Sequence, residues 1–221
     1  LIEIGFSGLL LKTKEISEGQ HPKIIEILGG KEKIEEKRFE MIGPAIGGEL
    51  RKDTMIAMIL AFLFITIYVA GAFRRVSRPV PSWQYGIAAL VALFHDILIT
   101  CGIFVILGQF LDMEINIPFA AALLTILGYS INDTIVVFDR CRENLIKSKK
   151  EFKEILNDSL SQVLARSFFT SLTTLLVLFS LFFFGGETIS AFVLTLIIGI
   201  ILGTYSSIFI ATPLLFRFAR K

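Results

Sequence analysis

The sequence predicts a polytopic α-helical membrane protein, and three observations support this prediction. Apolar residues make up 54% of the 221-residue chain and charged residues 19%, against roughly 45–50% and about 25% in soluble domains. The mean hydropathy is +0.72. The apolar residues also fall in long stretches, which is typical of segments that cross a bilayer. The net charge of +2 is near balance and does not indicate a nucleic-acid-binding surface.

The first 53 residues have the composition of a solvated region, with nine basic and ten acidic side chains. Alternating apolar and polar residues at 1–6 predict a strand, and residues 22–28 fit either a strand or a short helix. A region of about fifty residues can bury only a thin core. We therefore expect residues 1–53 to be part of a small α+β domain.

Five apolar segments follow this region. The first, residues 54–73, has no charged side chain and is long enough, at 1.5 Å per residue, to cross a hydrocarbon core of about 30 Å. Five such segments in succession are not expected in a soluble protein. We predict spanning helices at 54–73, 86–111, 115–138, 166–186 and 188–216.

The distribution of basic residues predicts the orientation of these helices. Lys and Arg cluster after the first, third and fifth segments, whereas the loops at 112–114 and 185–187 have none. By the positive-inside rule the basic ends and the C-terminus are cytoplasmic, and residues 1–53 are extracytoplasmic. An extracytoplasmic N-terminal region without a signal peptide predicts a further, preceding helix, and so six in the intact protein. Residues 140–165 have the pattern of a cytoplasmic amphipathic helix or loop.

One acidic residue, Asp133, lies inside the third apolar segment. A charge there costs about 2.5–3.5 kcal/mol at a helix centre, so it needs a partner or a function. Its position seven residues before Arg140 places it roughly 10 Å inside the cytoplasmic edge. An exchangeable proton on Asp133 is one interpretation. Permanent hydrogen bonds from Ser130, Asn132 or Thr134 are the other.

Arg166 is the basic residue nearest to that depth. It either snorkels to the boundary of the fourth span or lies inside the span within reach of Asp133. The segment after it is rich in hydroxyl groups, which suits hydrogen bonds between helices or a hydrated path. These hydroxyl groups belong to Ser167, Thr170, Ser171, Thr173 and Thr174.

Two further pairs of residues interrupt the apolar segments. His95 next to Asp96 suggests a proton relay that supports the proton path, but adjacent helical positions point about 100° apart, so the two are not expected to share one face. A hydrogen bond from each to a neighbouring helix is the other interpretation. Gly199 and Gly203 form a small-xxx-small face for helix packing. No hydrolytic, phosphate-binding or metal-binding motif is found in the sequence, so we expect no enzymatic activity, metal or cofactor.

Four stretches of the sequence together resemble one known family. The longest runs from Gly128-Tyr129-Ser130-Ile131-Asn132-Asp133-Thr134 to Arg140 and on to Asn144. The others are Gly43-Pro44-Ala45-Ile46-Gly47, Arg166 with its downstream hydroxyl residues, and Phe184-Gly185-Gly186. These motifs closely resemble those of SecF, the smaller membrane subunit of the SecDF protein-export factor.

The resemblance implies an RND-type transmembrane bundle, with five helices here and six expected, and a ferredoxin-like extracytoplasmic domain. It implies a place in the bacterial inner membrane, with residues 1–53 in the periplasm. The implied partners are SecD, the SecYEG channel, YajC or YidC, the translocating preprotein and membrane lipids. Asp133 and Arg166 correspond to the family's proton path, which also uses an aspartate of SecD. Ser167 departs from the family, where Thr is expected.

The main hypothesis is a translocase subunit that uses the proton-motive force with SecD to promote preprotein translocation. Protonation of Asp133 would change its attraction to Arg166 and shift the helix packing. The alternative is a proton-coupled RND-type exporter of lipids or small molecules. A scaffold in which Asp133 and Arg166 form a permanent structural pair is the third interpretation.

Overall fold

The computed structural model describes residues 2–4, 8–10, 21–27, 44–74, 79–111 and 117–219. The chain forms two compact units, Leu1–Met55 and Ile56–Lys221. The motif residue Gly43, the outer loop at 112–114, and the basic residues Arg75, Arg78, Arg220 and Lys221 lie outside the described residues.

The first unit contains a short hairpin and a short helix. Strands β1 (Ile2–Ile4) and β2 (Gly8–Leu10) pair antiparallel, with Ile2 opposite Leu10. Helix α1 covers His21–Ile27, which decides between the strand and the helix predicted there. Strand β2 was not predicted. One hairpin and one helix, the described elements that precede the first long helix, do not support a ferredoxin-like domain.

The second unit is built from long apolar helices. Five are long and apolar enough to cross a membrane, so the prediction of a multi-pass membrane protein is confirmed. The helices are α2 (Pro44–Ala72), α3 (Ser82–Leu111), α4 (Ile117–Lys147), α5 (Phe152–Phe184) and α6 (Glu187–Ser206), which continues through a π-helical turn (Ser207–Ala211) into α7 (Thr212–Ala219).

Residues 140–165, for which a cytoplasmic amphipathic helix or loop was predicted, are divided between two long helices. Helix α4 continues to Lys147, and α5 begins at Phe152, after a break of four residues. The apolar side chains of Ile155, Leu156 and Val163 are buried in the bundle. The first turns of α5 therefore pack their apolar face against the protein and lead directly into the fourth span.

Helices α4 and α6 form the centre of the bundle. In the most apolar stretch of α4, 56% of the residues are buried. The corresponding share is 50% in the last span and only 6% in α2. The two helices run parallel, because their facing pairs advance by four residues on both sides. These pairs are Ile126 with Gly199, Ser130 with Gly203, and Thr134 with Ser207.

The end of α2 joins the bundle through aromatic side chains. The ring of Phe73 stacks on Tyr85 of α3 at 5.0 Å between centroids, and Tyr85 meets Phe138 of α4 edge-on at 5.3 Å. Earlier residues of α2 face outward, as Phe64 does with 63% of its surface exposed. Such a surface suits hydrocarbon or another subunit.

The connection between α5 and α6 is a tight turn formed by Gly185 and Gly186. Gly186 has φ +80°, a conformation that favours glycine over other residues. A Cβ on Gly185 would collide with the carbonyl oxygen of Leu181 and the side chain of Ile189. Both glycines are therefore needed to reverse the chain without a longer loop.

Candidate functional site

Asp133 lies inside the bundle, with 3% of its surface exposed. Its Oδ2 accepts hydrogen bonds from Thr204 Oγ1 on α6 at 3.2 Å and from Ser171 Oγ on α5 at 3.4 Å. The two hydroxyl oxygens are 2.6 Å apart. The carboxyl group of α4 is therefore held between two other spanning helices.

The partners of Asp133 suit a carboxyl group that exchanges a proton. Each hydroxyl has one hydrogen to donate and can also accept. Thr204 Oγ1 also lies 3.0 Å from the carbonyl oxygen of Ile200, so its hydrogen has competing acceptors. The same hydroxyls can donate to an ionised Asp133 or accept from a protonated one. Both forms of the carboxyl group can thus be hydrogen-bonded by the same two side chains.

Ser167 lies on the same side of α5 as Ser171, because the two are four residues apart. Its hydroxyl is buried. It makes no hydrogen bond of ordinary geometry within the part of the chain that the structure describes, but it is close enough to the carboxyl group of Asp133 to interact with it. Ser167 is therefore part of the surroundings of Asp133.

Arg166 does not pair with Asp133. Its side chain is exposed on α5 and makes no hydrogen bond or ion pair with any of the described residues. Arg166 and Ser171 are five positions apart, which rotates them by about 140° around the helix. Since Ser171 faces Asp133, Arg166 points elsewhere. The expected proximity of this pair is therefore not observed.

The three neighbours proposed as permanent partners of Asp133 are turned to other groups. Ser130 donates to Asp96, and Thr134 Oγ1 lies 2.9 Å from Ser207 Oγ. Asn132 is exposed. Because consecutive residues of a helix point in different directions, neighbours in sequence were poor candidates for this role.

The hydroxyl-rich segment of α5 divides between two faces. Ser167 and Ser171 are buried, whereas Thr170 and Thr173 are exposed and donate to carbonyl groups of their own helix. Thr174 Oγ1 accepts from the Tyr129 hydroxyl of α4 at 3.1 Å. Only the serines can therefore contribute to the environment of Asp133.

The second buried carboxyl group, Asp96, has closer partners than Asp133. It is fully buried on α3, and its Oδ2 accepts from Ser130 Oγ of α4 at 2.5 Å and from Ser206 Oγ of α6 at 2.8 Å. Its Oδ1 lies 3.0 Å from Nδ1 of His95. Asp96 thus ties three helices together.

His95 and Asp96, which were expected to point to different faces of the helix, contact each other through their side chains. Their Cα–Cβ bonds do diverge, but Nδ1 is only two bonds from the Cβ of His95, so the ring can turn toward its neighbour. Within the described residues, Asp96 is hydrogen-bonded to neighbouring helices, whereas the hydrogen bond of His95 is to Asp96 on its own helix. The ring of His95 does approach Tyr205 of α6, at 6.4 Å between centroids.

We call the buried polar groups between these helices the polar seam. It consists of Asp96, Ser130, Asp133, Thr134, Ser171, Thr204, Ser206 and Ser207. The carboxyl groups occupy neighbouring levels, since Ser130 and Asp133 are one turn apart on α4 and Thr204 and Ser206 are close on α6. A shift of α6 along α4 would disturb both carboxyl groups at once.

Gly199 and Gly203 lie where α6 meets α4 at the polar seam. A Cβ on Gly203 would be 2.8 Å from Ser130 Cβ, and a Cβ on Gly199 would collide with the side chain of Ile126. In both cases the added carbon atom would be closer to its neighbour than non-bonded carbon atoms approach in proteins. The two glycines therefore permit the close approach that brings Ser206 and Thr204 within reach of the carboxyl groups.

No group of three or more His, Cys, Asp or Glu side chains that could hold a metal ion is present in the described segments. The polar seam contains two carboxyl groups and several hydroxyl groups, and the imidazole of His95 contacts one of the carboxyl groups. These groups can bind, hold and pass a proton.

A family model described as "Protein export membrane protein SecD/SecF, C-terminal" matches residues 24–221. The protein translocase subunit SecF of Thermobaculum terrenum is 47% identical over 218 residues, which cover 97% of the chain and 68% of that relative. The corresponding subunit of Sebaldella termitidis is 42% identical, over 96% of the chain and 66% of its own length.

Two crystal structures are similar to the chain. SecDF from Thermus thermophilus has a TM-score of 0.72 and 42% identity, and it covers 82% of the chain and 24% of its own length. SecDF in a super-membrane-facing form has a TM-score of 0.69 and 34% identity, over 93% of the chain and 26% of its own length. The chain thus spans about two thirds of the SecF relatives and about a quarter of the SecDF chains.

Proposed function

Because the chain belongs to the SecD/SecF family of protein-export membrane proteins, we propose that it works with SecD to promote preprotein translocation, driven by the proton-motive force. It acts as a transport subunit and not as an enzyme. The relatives described above are translocase subunits, which supports this function over the alternative exporter of lipids or small molecules.

The observation that carries the proposal is the position of Asp133. A carboxyl group at 3% exposure, bonded to hydroxyls of α5 and α6, couples its charge to the packing of three spanning helices. Proton uptake removes the cost of a buried charge and converts the carboxyl group from acceptor to donor. The two states favour different positions of α5 and α6, which is how a proton can move the bundle.

We propose that the ion-pair partner of Arg166 belongs to another protein chain. Arg166 and Thr170 are exposed on α5, next to an exposed stripe of α4 formed by Thr125, Gly128 and Asn132. Small and polar side chains on spanning helices favour contact with another helix over contact with lipid. We propose that SecD docks here and that an aspartate of SecD faces Arg166.

The topology of the proposal follows the distribution of basic residues. Residues 1–53 belong to a periplasmic domain, and the C-terminus is cytoplasmic in the inner membrane. Movement of the bundle is passed to the periplasmic domain, which contacts the preprotein as it leaves the SecYEG channel. YajC or YidC associates with the same complex.

The docking of SecD is tested by enlarging the exposed stripe. A Cβ on Gly128 would meet no atom of this chain within 4 Å, so Gly128→Leu leaves the bundle intact. In the full-length protein we expect this change to reduce the amount of SecD that copurifies several-fold, because the larger side chain keeps a partner helix away.

Gly71→Leu is the matched control, since Gly71 is exposed on α2 and its added Cβ also meets nothing within 4 Å. It should leave the recovery of SecD unchanged. Equal amounts of copurified SecD with both variants would show that SecD does not dock on α4. Export driven by the proton gradient is a separate measurement.

A further inference from the structure

We propose that His95 and Asp96 form a second proton-binding site of the bundle, separate from Asp133, in which His95 takes up the proton at Nε2 and Asp96 is the positioning residue. The site deepens the proposed proton-driven function and rests on it for its role in export. The binding of the proton itself is tested independently below.

The two oxygens of Asp96 have different partners, and Oδ1 is the one that contacts His95. Two serine hydroxyls from α4 and α6 bind Oδ2, at 2.5 and 2.8 Å, and His95 Nδ1 lies 3.0 Å from Oδ1. Together these contacts fix the carboxyl group from three helices. An anchored carboxylate can orient an imidazole ring in a way that a mobile one cannot.

This contact decides which nitrogen of His95 carries the hydrogen. In the proposed site Asp96 is ionised; its carboxylate then only accepts hydrogen bonds, so the nitrogen that faces it donates and Nδ1 carries the hydrogen. In a neutral ring the lone pair is then on Nε2. Proton uptake at Nε2 produces an imidazolium whose charge lies 3.0 Å from the carboxylate.

Only one member of the pair reaches the surface of the bundle. The side chain of Asp96 is fully buried, whereas that of His95 is 29% exposed. His95 is close to the middle of α3, the helix that runs from Ser82 to Leu111. A charge at that depth is costly without a counter-ion, and Asp96 supplies one.

Few other titratable groups face the pair. On α6 the ring of Tyr205 is 6.4 Å from that of His95. On α4 the group bonded to Asp96 is the hydroxyl of Ser130, and Asp133, one turn further, is turned to Ser171 and Thr204. Arg217 of α7, the basic residue of the helix that continues α6, lies about three turns beyond Ser206.

The second site is next to the first without sharing its groups. Asp96 is bound by Ser130 and Ser206, and Asp133 by Ser171 and Thr204. Ser130 and Asp133 lie one turn apart on α4, and Thr204 and Ser206 lie on the same stretch of α6, whereas Ser171 belongs to α5. A change of charge at His95 therefore acts on the helices that hold Asp133.

Nitrogen-15 NMR of histidine-labelled full-length protein in complex with SecD tests the site. The signals that disappear in His95→Asn identify His95 by difference, and His21 is the other histidine of this chain. We expect Nδ1 to carry a hydrogen in both forms of the ring and Nε2 to be the nitrogen that gains one when the pH is lowered. In Asp96→Asn the preference for the Nδ1–H tautomer should be lost.

An Nε2–H tautomer of the neutral ring, or a ring that gains no proton at any pH at which the complex stays folded, would overturn the proposal. The NMR measurement does not depend on export. Its failure can therefore be distinguished from a failure of the proposed function. His95→Asn also provides the activity measurement, because its amide nitrogen can occupy the place of Nδ1 but cannot titrate. We expect it to shift the pH profile of export, and an unchanged profile would show that the site does not contribute to transport.

Discussion

Export driven by the proton gradient is expected to fall to its gradient-free level when Asp133 is replaced by Asn. The amide keeps the size of the side chain and can still bond the hydroxyls of Thr204 and Ser171. It cannot exchange a proton, so the packing of α5 and α6 no longer responds to the gradient. The measurement is preprotein translocation by the full-length protein with SecD in membrane vesicles, with and without an uncoupler.

Asp139→Asn is the matched control, since it makes the same chemical change on the same helix. Asp139 is exposed and accepts from Arg142 at 2.6 Å, outside the polar seam. Its replacement should leave export and its sensitivity to the uncoupler unchanged. If Asp133→Asn exports at the normal rate with a normal response to the uncoupler, the proton-exchange role of Asp133 is wrong. If it loses export only in proportion to lost folded protein, the structural-pair hypothesis gains support, with the hydroxyls as partners.

Replacement of Gly203 by Ala is expected to have the largest effect on stability. The added Cβ would be 2.8 Å from Ser130 Cβ and 3.1 Å from Ser130 Cα, atoms that cannot move aside without displacing α4. Overpacking of this kind costs about 1–3 kcal/mol. It also moves Ser130 away from Ser206, so the hydrogen bonds that these two hydroxyls donate to Asp96 are weakened. Thermal unfolding of the purified full-length protein measures the loss.

The control for this change is Gly102→Ala on α3. Gly102 is exposed and an added Cβ meets nothing within 4 Å, so the change adds a methyl group without a collision. Its unfolding temperature should be equal to that of the unchanged protein or slightly higher, because Ala is the better helix former. An equal unfolding temperature for Gly203→Ala and Gly102→Ala would show that α4 and α6 are not tightly packed at this point.

The spanning helices were predictable because hydropathy is a local property of the chain. Each of the five predicted segments overlaps a helix that is long and apolar enough to cross a membrane. The ends were less predictable. Helix α2 begins at Pro44, although the charged residues Glu49, Arg51, Lys52 and Asp53 precede the predicted span. Charges end an apolar segment, but they do not end a helix.

The candidate site was predictable in part. An aspartate inside an apolar segment was recognised from its cost in hydrocarbon, and Asp133 is indeed buried. Its partners were not recognised, because Ser171 and Thr204 are 38 and 71 residues away in sequence. The contact of His95 with Asp96 was not expected, because the argument about Cβ directions did not consider the reach of the ring.

The sequence by itself determined that the chain crosses the membrane, which family it belongs to, and which few polar groups lie in apolar surroundings. These properties depend on composition, on motifs and on the cost of a charge in hydrocarbon, and none of them requires knowledge of contacts. Only the tertiary structure decided that Asp133 faces hydroxyl groups and not Arg166, and that Asp96 joins three helices. The physical reason is that rotation about each helix axis and the register between α4 and α6 are set by packing at Gly199 and Gly203, and packing involves residues far apart in sequence.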